Sequence, residues 1–257
     1  MMKNYNYEDL VCRNKGFLSF QEQEKIKEAK ILFAGCGLGS NTATLAARTG
    51  FSHFILADGD KVEVTNLNRQ AFYLSHVGMN KAEATGQLIK DINNHAEIEI
   101  LPVYITEKEA ATVVSKADII VNTVDPTPAV FAINRAANSQ NKIVLFPLNI
   151  GFGGITLVFS PDSITLEEMV GGTVTEIELF LRIIETVQPY LPYITDYMKR
   201  FSEIKDDIIQ GKQPGPQLGV GALVNASLIV TAMVKCVLGL PIKVTPETIA
   251  FDAWFLK

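Results

Sequence analysis

The stretch from Ile31 to Gln70 constrains the fold more than any other part of this 257-residue chain. It contains a short apolar run, a glycine turn, a helical segment, a second apolar run and a polar loop. This order is typical of a nucleotide-binding βαβ unit, in which glycines let the backbone approach a phosphate and the following helix N-terminus attracts its charge. Gly35, Gly37 and Gly39 are therefore candidate phosphate-binding residues.

Asp58 follows the second apolar run, 19 residues past Gly39. An acid at this place in a βαβ unit holds the ribose hydroxyls of a nucleotide. The same glycine turn also serves any tight connection from a strand to a helix. Taken alone, the motif favours nucleotide binding and a purely structural turn about equally.

The segments GCGLGS, LADGD, TNLNRQ and VGMNKAE resemble the ThiF/MoeB/HesA family, the bacterial relatives of ubiquitin-activating enzymes. The resemblance covers about residues 13–239, and its most specific part is the spacing from NLNRQ to the lysine. Family members adenylate carboxyl groups with ATP. Their glycine loops usually have the pattern GxGGxGS, one residue longer than the loop here. The strings RNxGF, LNIGFG and SPDSITLEE are similar to a branch that lacks zinc.

The resemblance implies a role for each of several residues. Arg69 and Lys81 neutralise the triphosphate, and Asn66 binds beside them. Asp125, at the carboxyl end of the predicted strand DIIVNTVD, holds Mg²⁺ through its oxygen atoms and completes the catalytic set with Arg69 and Lys81. Arg13 reaches the ATP of the partner subunit in a homodimer.

Each of these residues also has an ordinary structural explanation. Arg69 could form a surface ion pair, and Lys81 could be a solvated charge at a helix N-terminus. Asp125 could cap a helix that starts after Pro126, and Arg13 could be a surface residue in water. The order and spacing of Arg69, Lys81 and Asp125 favour the functional interpretation, whereas for Arg13 the surface explanation is at least as strong.

Apolar runs alternate with amphipathic segments along the first half of the chain, which predicts a doubly wound, Rossmann-like, mostly parallel α/β sheet. After Phe146 the resemblance implies antiparallel strands. The predicted strands are 30–34, 51–57, 97–103, DIIVNTVD, 142–146, 155–159 and 249–251. The predicted helices are 20–28, 42–49, 81–92, one capped by Thr106 and ending at Ala117, 128–139, 173–188, 193–209 and one ending at 235–239.

We expect one ThiF-like domain over residues 1–257, made of three parts. Residues 1–29 form an N-terminal helical segment that begins irregularly, 30–150 the nucleotide-binding half, and 151–257 an antiparallel extension with a helical insert at about 173–210. The insert carries aromatic residues that pack in the core, in a dimer contact or around a substrate. They are Phe180, Tyr190, Tyr193, Tyr197 and Phe201.

Composition narrows the class of protein. A net charge of −5 without a basic run disfavours a nucleic-acid surface. The three cysteines, Cys12, Cys36 and Cys236, form no CxxC pair, which predicts no zinc site and favours a reducing cytoplasm. The apolar tract 218–240 is interrupted by polar residues, so we expect a buried helix and not a membrane span.

The expected function is ATP- and Mg²⁺-dependent adenylation of a carboxyl group, at the C-terminus of a ubiquitin-like protein, a sulfur-carrier protein or a peptide. No cysteine lies in the middle region, so we expect no lasting enzyme thioester. One alternative is an NAD-binding oxidoreductase, which leaves Asn66, Arg69 and Lys81 unexplained. Another is a non-catalytic partner subunit, which the shortened loop would permit.

Overall fold

A computed structural model describes residues 5–174, 176–190 and 194–255, apart from the side chains of residues 176, 177, 190, 194 and 195. The described strands form one sheet in the order β3-β2-β1-β4-β5-β6-β7. They are β1 (Lys30–Ala34), β2 (His53–Ala57), β3 (Glu97–Leu101), β4 (Ile119–Asn122), β5 (Ile143–Ile150), β6 (Gly153–Phe159) and β7 (Ile249–Asp252).

The first five strands are parallel, whereas β6 is antiparallel to β5 and β7 is antiparallel to β6. This topology confirms the predicted mostly parallel, Rossmann-like α/β sheet with an antiparallel C-terminal extension. The helices are α1 (Tyr7–Val11), α2 (Phe20–Glu28), α3 (Gly39–Thr49), α4 (Lys81–Ile92), α5 (Ala110–Ser115), α6 (Pro128–Ser139), α7 (Leu166–Val170), α8 (Glu176–Val187), α9 (Ile194–Ile209) and α10 (Gly219–Leu238). The division into one domain of three parts stays a prediction.

Helices α2 and α4 begin where their capping residues predict. The Ser19 hydroxyl accepts from the Glu22 amide at 3.3 Å, and the Glu22 carboxylate accepts from the Ser19 amide at 2.7 Å. The Asn80 side chain accepts from the amide of Ala82 at 2.8 Å. Such caps satisfy amides that lack an intrahelical partner, so they fix where a helix starts.

Several local predictions were wrong, and three of them have a clear structural reason. The irregular start contains α1, whose buried Tyr7 donates to the carbonyl of Gly50 at 2.7 Å. The predicted strand 142–146 is too short, because pairing with β6 extends β5 to Ile150. Helix α5 begins at Ala110, since Thr106 bonds to Glu109 in the turn before it and does not cap the helix.

The helical insert packs mainly against the rest of the protein. Ile183 and Ile184 of α8 are buried in the main apolar cluster, and Tyr197 of α9 packs against that cluster. The rings of Phe180 and Phe201 lie 5.6 Å apart. These contacts correspond to the predicted core role, while the side chains of Tyr190 and Tyr193 lie outside the described residues.

Helix α10 is long and apolar enough to cross a membrane by length and composition alone. Ile229, Val230 and Met233 are buried in a cluster that also contains Phe33 of β1. Asn225 accepts a hydrogen bond from Thr156 of β6 at 3.1 Å. This face of the helix therefore packs on the sheet.

Candidate active site

The glycine loop joins β1 to α3 and has a backbone that requires glycine at its start. Gly35 has φ +94, and a Cβ there would lie 2.6 Å from the hydroxyl oxygen of Thr123 and 2.7 Å from its carbonyl oxygen. A side chain would be strained both by this φ and by the close contact. The Thr123 hydroxyl donates to the Gly35 carbonyl at 2.7 Å, so the residue that follows β4 holds the glycine loop in place.

The N-terminus of α3 follows this loop without a side-chain cap, because its N-cap residue is Leu38. Its unpaired amides and the positive end of its dipole are therefore available to an anion. Gly37 lines the adjoining cavity. Gly39 lies behind the loop, where a Cβ would meet the Thr123 hydroxyl at 3.1 Å, so its role here is close packing.

One cavity of ≈ 410 Å³ opens at the carboxyl ends of the parallel strands, where open α/β sheets bind ligands. Most of the predicted site residues meet there. Those that line it are Gly35, Gly37, Asp58, Asn66, Arg69, Lys81 and Asp125. Gly39 does not line the cavity, and Arg13 lies in an exposed 3₁₀ turn near the N-terminus, outside it.

Asp58 is buried, and its carboxylate holds the glycine loop. One oxygen accepts from the amide of Cys36 at 2.7 Å, and the other accepts from the amide of Asp60 at 2.8 Å. Burial raises the pKa of Asp58, although both hydrogen bonds act in the opposite direction. The predicted ribose ligand therefore holds the glycine loop in shape.

Lys81 begins α4, with its side chain only 11% exposed. Its ammonium lies 2.8 Å from one carboxylate oxygen of Asp60, while the hydroxyl of Tyr104 donates to the other. Burial alone would raise the pKa of Asp60, but these two hydrogen bonds outweigh it and the pKa is lowered. Lys81 is therefore a paired cation inside the cavity, so the solvated-charge explanation is wrong.

Arg69 is held by neutral groups. Its guanidinium donates to the carbonyl of Thr65 and to the side chain of Asn68, each at 2.8 Å, and to the side-chain oxygen of Gln217. Over the described residues it forms no salt bridge, so the surface ion-pair explanation is wrong. Burial lowers the pKa of Arg69, yet a guanidinium stays charged in proteins. The cavity thus holds a cation without a counterion.

Asp125 lies just past the end of β4 and is exposed at the cavity. The N-cap of α6 is Thr127, with Pro128 at the first helical position, so the helix-cap explanation of Asp125 is wrong. Its backbone carbonyl accepts from the amide of Thr127 at 2.6 Å. Within the described chain its carboxylate has no hydrogen-bond or ion-pair partner, which leaves it available to a ligand.

Asn66 is buried, and its side-chain oxygen accepts from the amide of Glu63 at 3.0 Å. This bond fixes the amide group of Asn66 at the cavity wall. Three further cavity residues were missed from the sequence: Asp60, Tyr104 and Gln217. Asp60 could have been found as the second acid of the DGD string. Gln217 stands 148 residues from Arg69, so no local pattern links the two.

The cysteines lie in three separate elements. Cys36 is fully buried, and burial raises the pKa of its thiol well above the usual value. Burial also raises the pKa of Cys236 in α10 to about 11. Both thiols are therefore held in their unreactive form, although Cys236 is only partly buried.

Residues 11–257 match the sequence model of a protein family described as the "ThiF family". The chain belongs to the ThiF family. This assignment confirms the resemblance inferred from the glycine loop, the NLNRQ string and the lysine that follows it. The match begins before α2 and extends through the antiparallel extension.

Curated ThiF-family relatives are activating enzymes and adenylyltransferases. Ubiquitin-like modifier-activating enzyme 5 of Caenorhabditis elegans is 31% identical over 134 residues, which cover 48% of this chain and 32% of the relative. The sulfur carrier protein ThiS adenylyltransferase of Escherichia coli (strain K12) is 26% identical over 146 residues, covering 56% of this chain and 58% of the relative. The chain thus spans less than two thirds of these relatives' lengths.

Solved structures share the fold at lower sequence identity. Escherichia coli MccB with ATP is 19% identical and superposes with a TM-score of 0.70, covering 99% of this chain and 70% of MccB. PaaA superposes with a TM-score of 0.68 at 19% identity, covering 98% of this chain and 78% of PaaA. Both superpositions cover nearly the whole of this chain.

Proposed function

We propose that this ThiF-family protein uses ATP to adenylate a carboxyl group at the C-terminus of a small carrier protein or peptide. The observation that carries the proposal is the pair of cations, Arg69 and Lys81, in one cavity beside the uncapped N-terminus of α3. Similar proteins support the proposal. One relative is named as the adenylyltransferase of the sulfur carrier protein ThiS, and structures of MccB have been solved with ATP and with MccA.

The chemistry requires two anions to approach each other. A carboxylate oxygen attacks the α-phosphorus of ATP, the bond from that phosphorus to the bridging oxygen breaks, and pyrophosphate leaves with the electron pair. Arg69 has no counterion within the described chain and is suited to the charge that develops on the phosphates. Lys81 supplies a second cation, while the loop amides and Asn66 position the triphosphate.

The residues also fit a magnesium ion. Mg²⁺ is commonly bound through one or two carboxylates together with substrate phosphates and water. Asp125 offers one carboxylate without another partner in the described chain, just past the end of β4 where it lines the cavity. Bound there, Mg²⁺ would neutralise charge on the phosphates. Asp125 would be its protein ligand.

We further propose that the activated acyl group passes to an external nucleophile and not to an enzyme thiol. Cys36 and Cys236 are held as unreactive thiols by burial, and Cys12 lies near the N-terminus in an exposed 3₁₀ turn. The proposed setting is the cytoplasm, without zinc, a membrane or a nucleic-acid partner. The separated cysteines and the net charge of −5 support these proposals.

ATP with Mg²⁺ should raise the melting temperature, and NAD should leave it unchanged. A ligand that binds only the folded state at about 100 times its Kd stabilises by about 2.7 kcal/mol, or about 5–10 °C for a domain of this size. Differential scanning fluorimetry measures both shifts. An Arg69→Met variant, with a weakened ATP shift, is the matched control. A shift with NAD and none with ATP would favour an oxidoreductase.

The protein should be a homodimer in which Arg13 reaches the nucleotide of the other copy. Arg13 lies outside the cavity of its own chain, and the same segment exposes Phe17 by 93% and Phe20 by 70%. Light scattering should give twice the chain mass of 28.2 kDa. Mixing inactive Arg13→Ala and Asp125→Asn proteins should restore activity, because each mixed dimer has one intact site. A monomer mass at micromolar concentration would contradict this proposal.

A further inference from the structure

The cavity is lined by two kinds of side chain. Arg69, Lys81 and Asn66 are polar and suit phosphates, as described above. The loop after β3 contributes a different wall, with Val103, Tyr104 and Ile105 in succession, and apolar groups at the ends of β2 and β4 add to it. Ligand pockets are largely apolar with a few placed polar groups, so this second wall suits a nucleoside.

Tyr104 is the large aromatic group of this wall, and it is supported from two directions. Its ring lies against Gly59, where an added Cβ would be 2.6 Å from two ring carbons. Its hydroxyl donates to Asp60, the carboxylate that also pairs with Lys81 at 2.8 Å. Because residue 59 is a glycine, there is space for the ring of Tyr104, and the hydrogen bond to Asp60 fixes the position of its hydroxyl.

The remaining surface of the ring is free, since Tyr104 is 65% exposed. An aromatic side chain held in place before binding loses little conformational freedom when a ligand arrives. Stacking a base on such a side chain contributes about 1–3 kcal/mol per base. The hydrogen bond to Asp60 also raises the pKa of Tyr104, so the hydroxyl remains a donor.

We infer that Tyr104 contacts the base of the bound nucleotide, and that Asp60 couples this contact to Lys81. The inference rests on the proposed function, since it presumes a nucleoside triphosphate in the cavity. Tyr104 is then a nucleoside-binding residue. It recognises the nucleoside, whereas Arg69 recognises only the phosphates. The shared carboxylate lets the base contact and the position of the Lys81 ammonium influence each other.

Calorimetry with ATP and with inorganic tripolyphosphate separates these roles. Tyr104→Ala should raise the Kd for ATP about tenfold or more, the loss expected from one stacked base, and raise the Kd for tripolyphosphate only about threefold or less, the effect of losing the hydroxyl that bonds to Asp60. Tyr104→Phe keeps the ring and should raise the Kd for ATP about threefold or less. Tyr73→Ala is the matched control, because Tyr73 is 66% exposed and outside the cavity.

The contact between Tyr104 and the base and the coupling to Lys81 through Asp60 are each tested by a separate measurement. Nuclear Overhauser effects should connect the adenine protons to the ring of Tyr104. For the coupling, the effects of Tyr104→Phe and Lys81→Met on the Kd for ATP should be non-additive by a factor of about two or more, since residues that share a partner do not act independently. Additive effects would overturn the coupling through Asp60.

Failure of the inference can be told apart from failure of the proposed function. If the unaltered protein binds ATP and Tyr104→Ala binds it equally well, Tyr104 does not contact the base. If Tyr104→Ala weakens ATP and tripolyphosphate alike, the ring has only a structural role. If the unaltered protein binds neither compound, the proposed function itself is wrong, and the inference falls with it.

Discussion

Asp125→Asn should lower carboxylate-dependent ATP–pyrophosphate exchange by about a hundredfold or more, while the Kd for ATP changes by about threefold or less. Asparagine keeps the shape of the side chain but removes the negative charge that would hold Mg²⁺. Loss of metal-assisted charge stabilisation slows the chemical step. Arg69, Lys81 and the glycine loop would still bind the triphosphate.

The structure removes the main competing explanation for such a result. Thr127 and not Asp125 occupies the N-cap position of α6, so the substitution leaves the start of that helix intact. Asp162→Asn is a matched control, because Asp162 is an exposed aspartate in a turn outside the cavity. Near-normal exchange by Asp125→Asn would reject the catalytic role. Equal losses of exchange and ATP affinity would instead make Asp125 a nucleotide-affinity residue.

Arg69→Met should lower kcat/KM for the exchange reaction by about a hundredfold to a thousandfold, as expected when a charged donor to the reacting phosphates is removed. Methionine keeps part of the length and apolar stem. Arg69→Lys should recover only part of the loss, because lysine has the charge without the planar set of donors. ATP and tripolyphosphate should both bind more weakly, unlike in the Tyr104 variants.

A change in folding is the alternative cause, and two measurements address it. The partners of Arg69 are neutral, so its loss leaves no buried carboxylate without a counterion, and the melting temperature should fall only slightly. Arg135→Met is the control, because Arg135 pairs with Glu167 at 2.7 Å outside the cavity and should retain full activity. Full activity of Arg69→Met would exclude a role in binding the phosphates.

The amino acids at helix ends made the bounds of some helices predictable. Helix α4 has the predicted bounds because Asn80 caps it, and helix α6 has them because Pro128 can start a helix but cannot continue one. The extension of β5 to Ile150 was not predictable in the same way. It depends on pairing with β6, and glycine-rich sequence by itself indicates a loop.

The same distinction holds for the site. Arg69, Lys81 and Asp125 were found because a family pattern fixes their order along the chain, and the fold brings them to one cavity. Tyr104 and Gln217 were missed because their contacts form between distant segments, and neither belongs to a recognisable motif. Predicting such contacts requires the fold first.

The carboxylate of Asp58 accepts from the amide of Cys36, so the acid predicted to bind the ribose also holds the glycine loop in shape. A redesign for a different sugar would ordinarily begin by exchanging this acid. Here the exchange would also release the glycine turn proposed to bind the phosphates, next to Gly35, whose φ of +94 favours glycine. Substitutions in the loop after β3 should therefore change a nucleotide preference with less disturbance of the glycine loop than substitutions of Asp58.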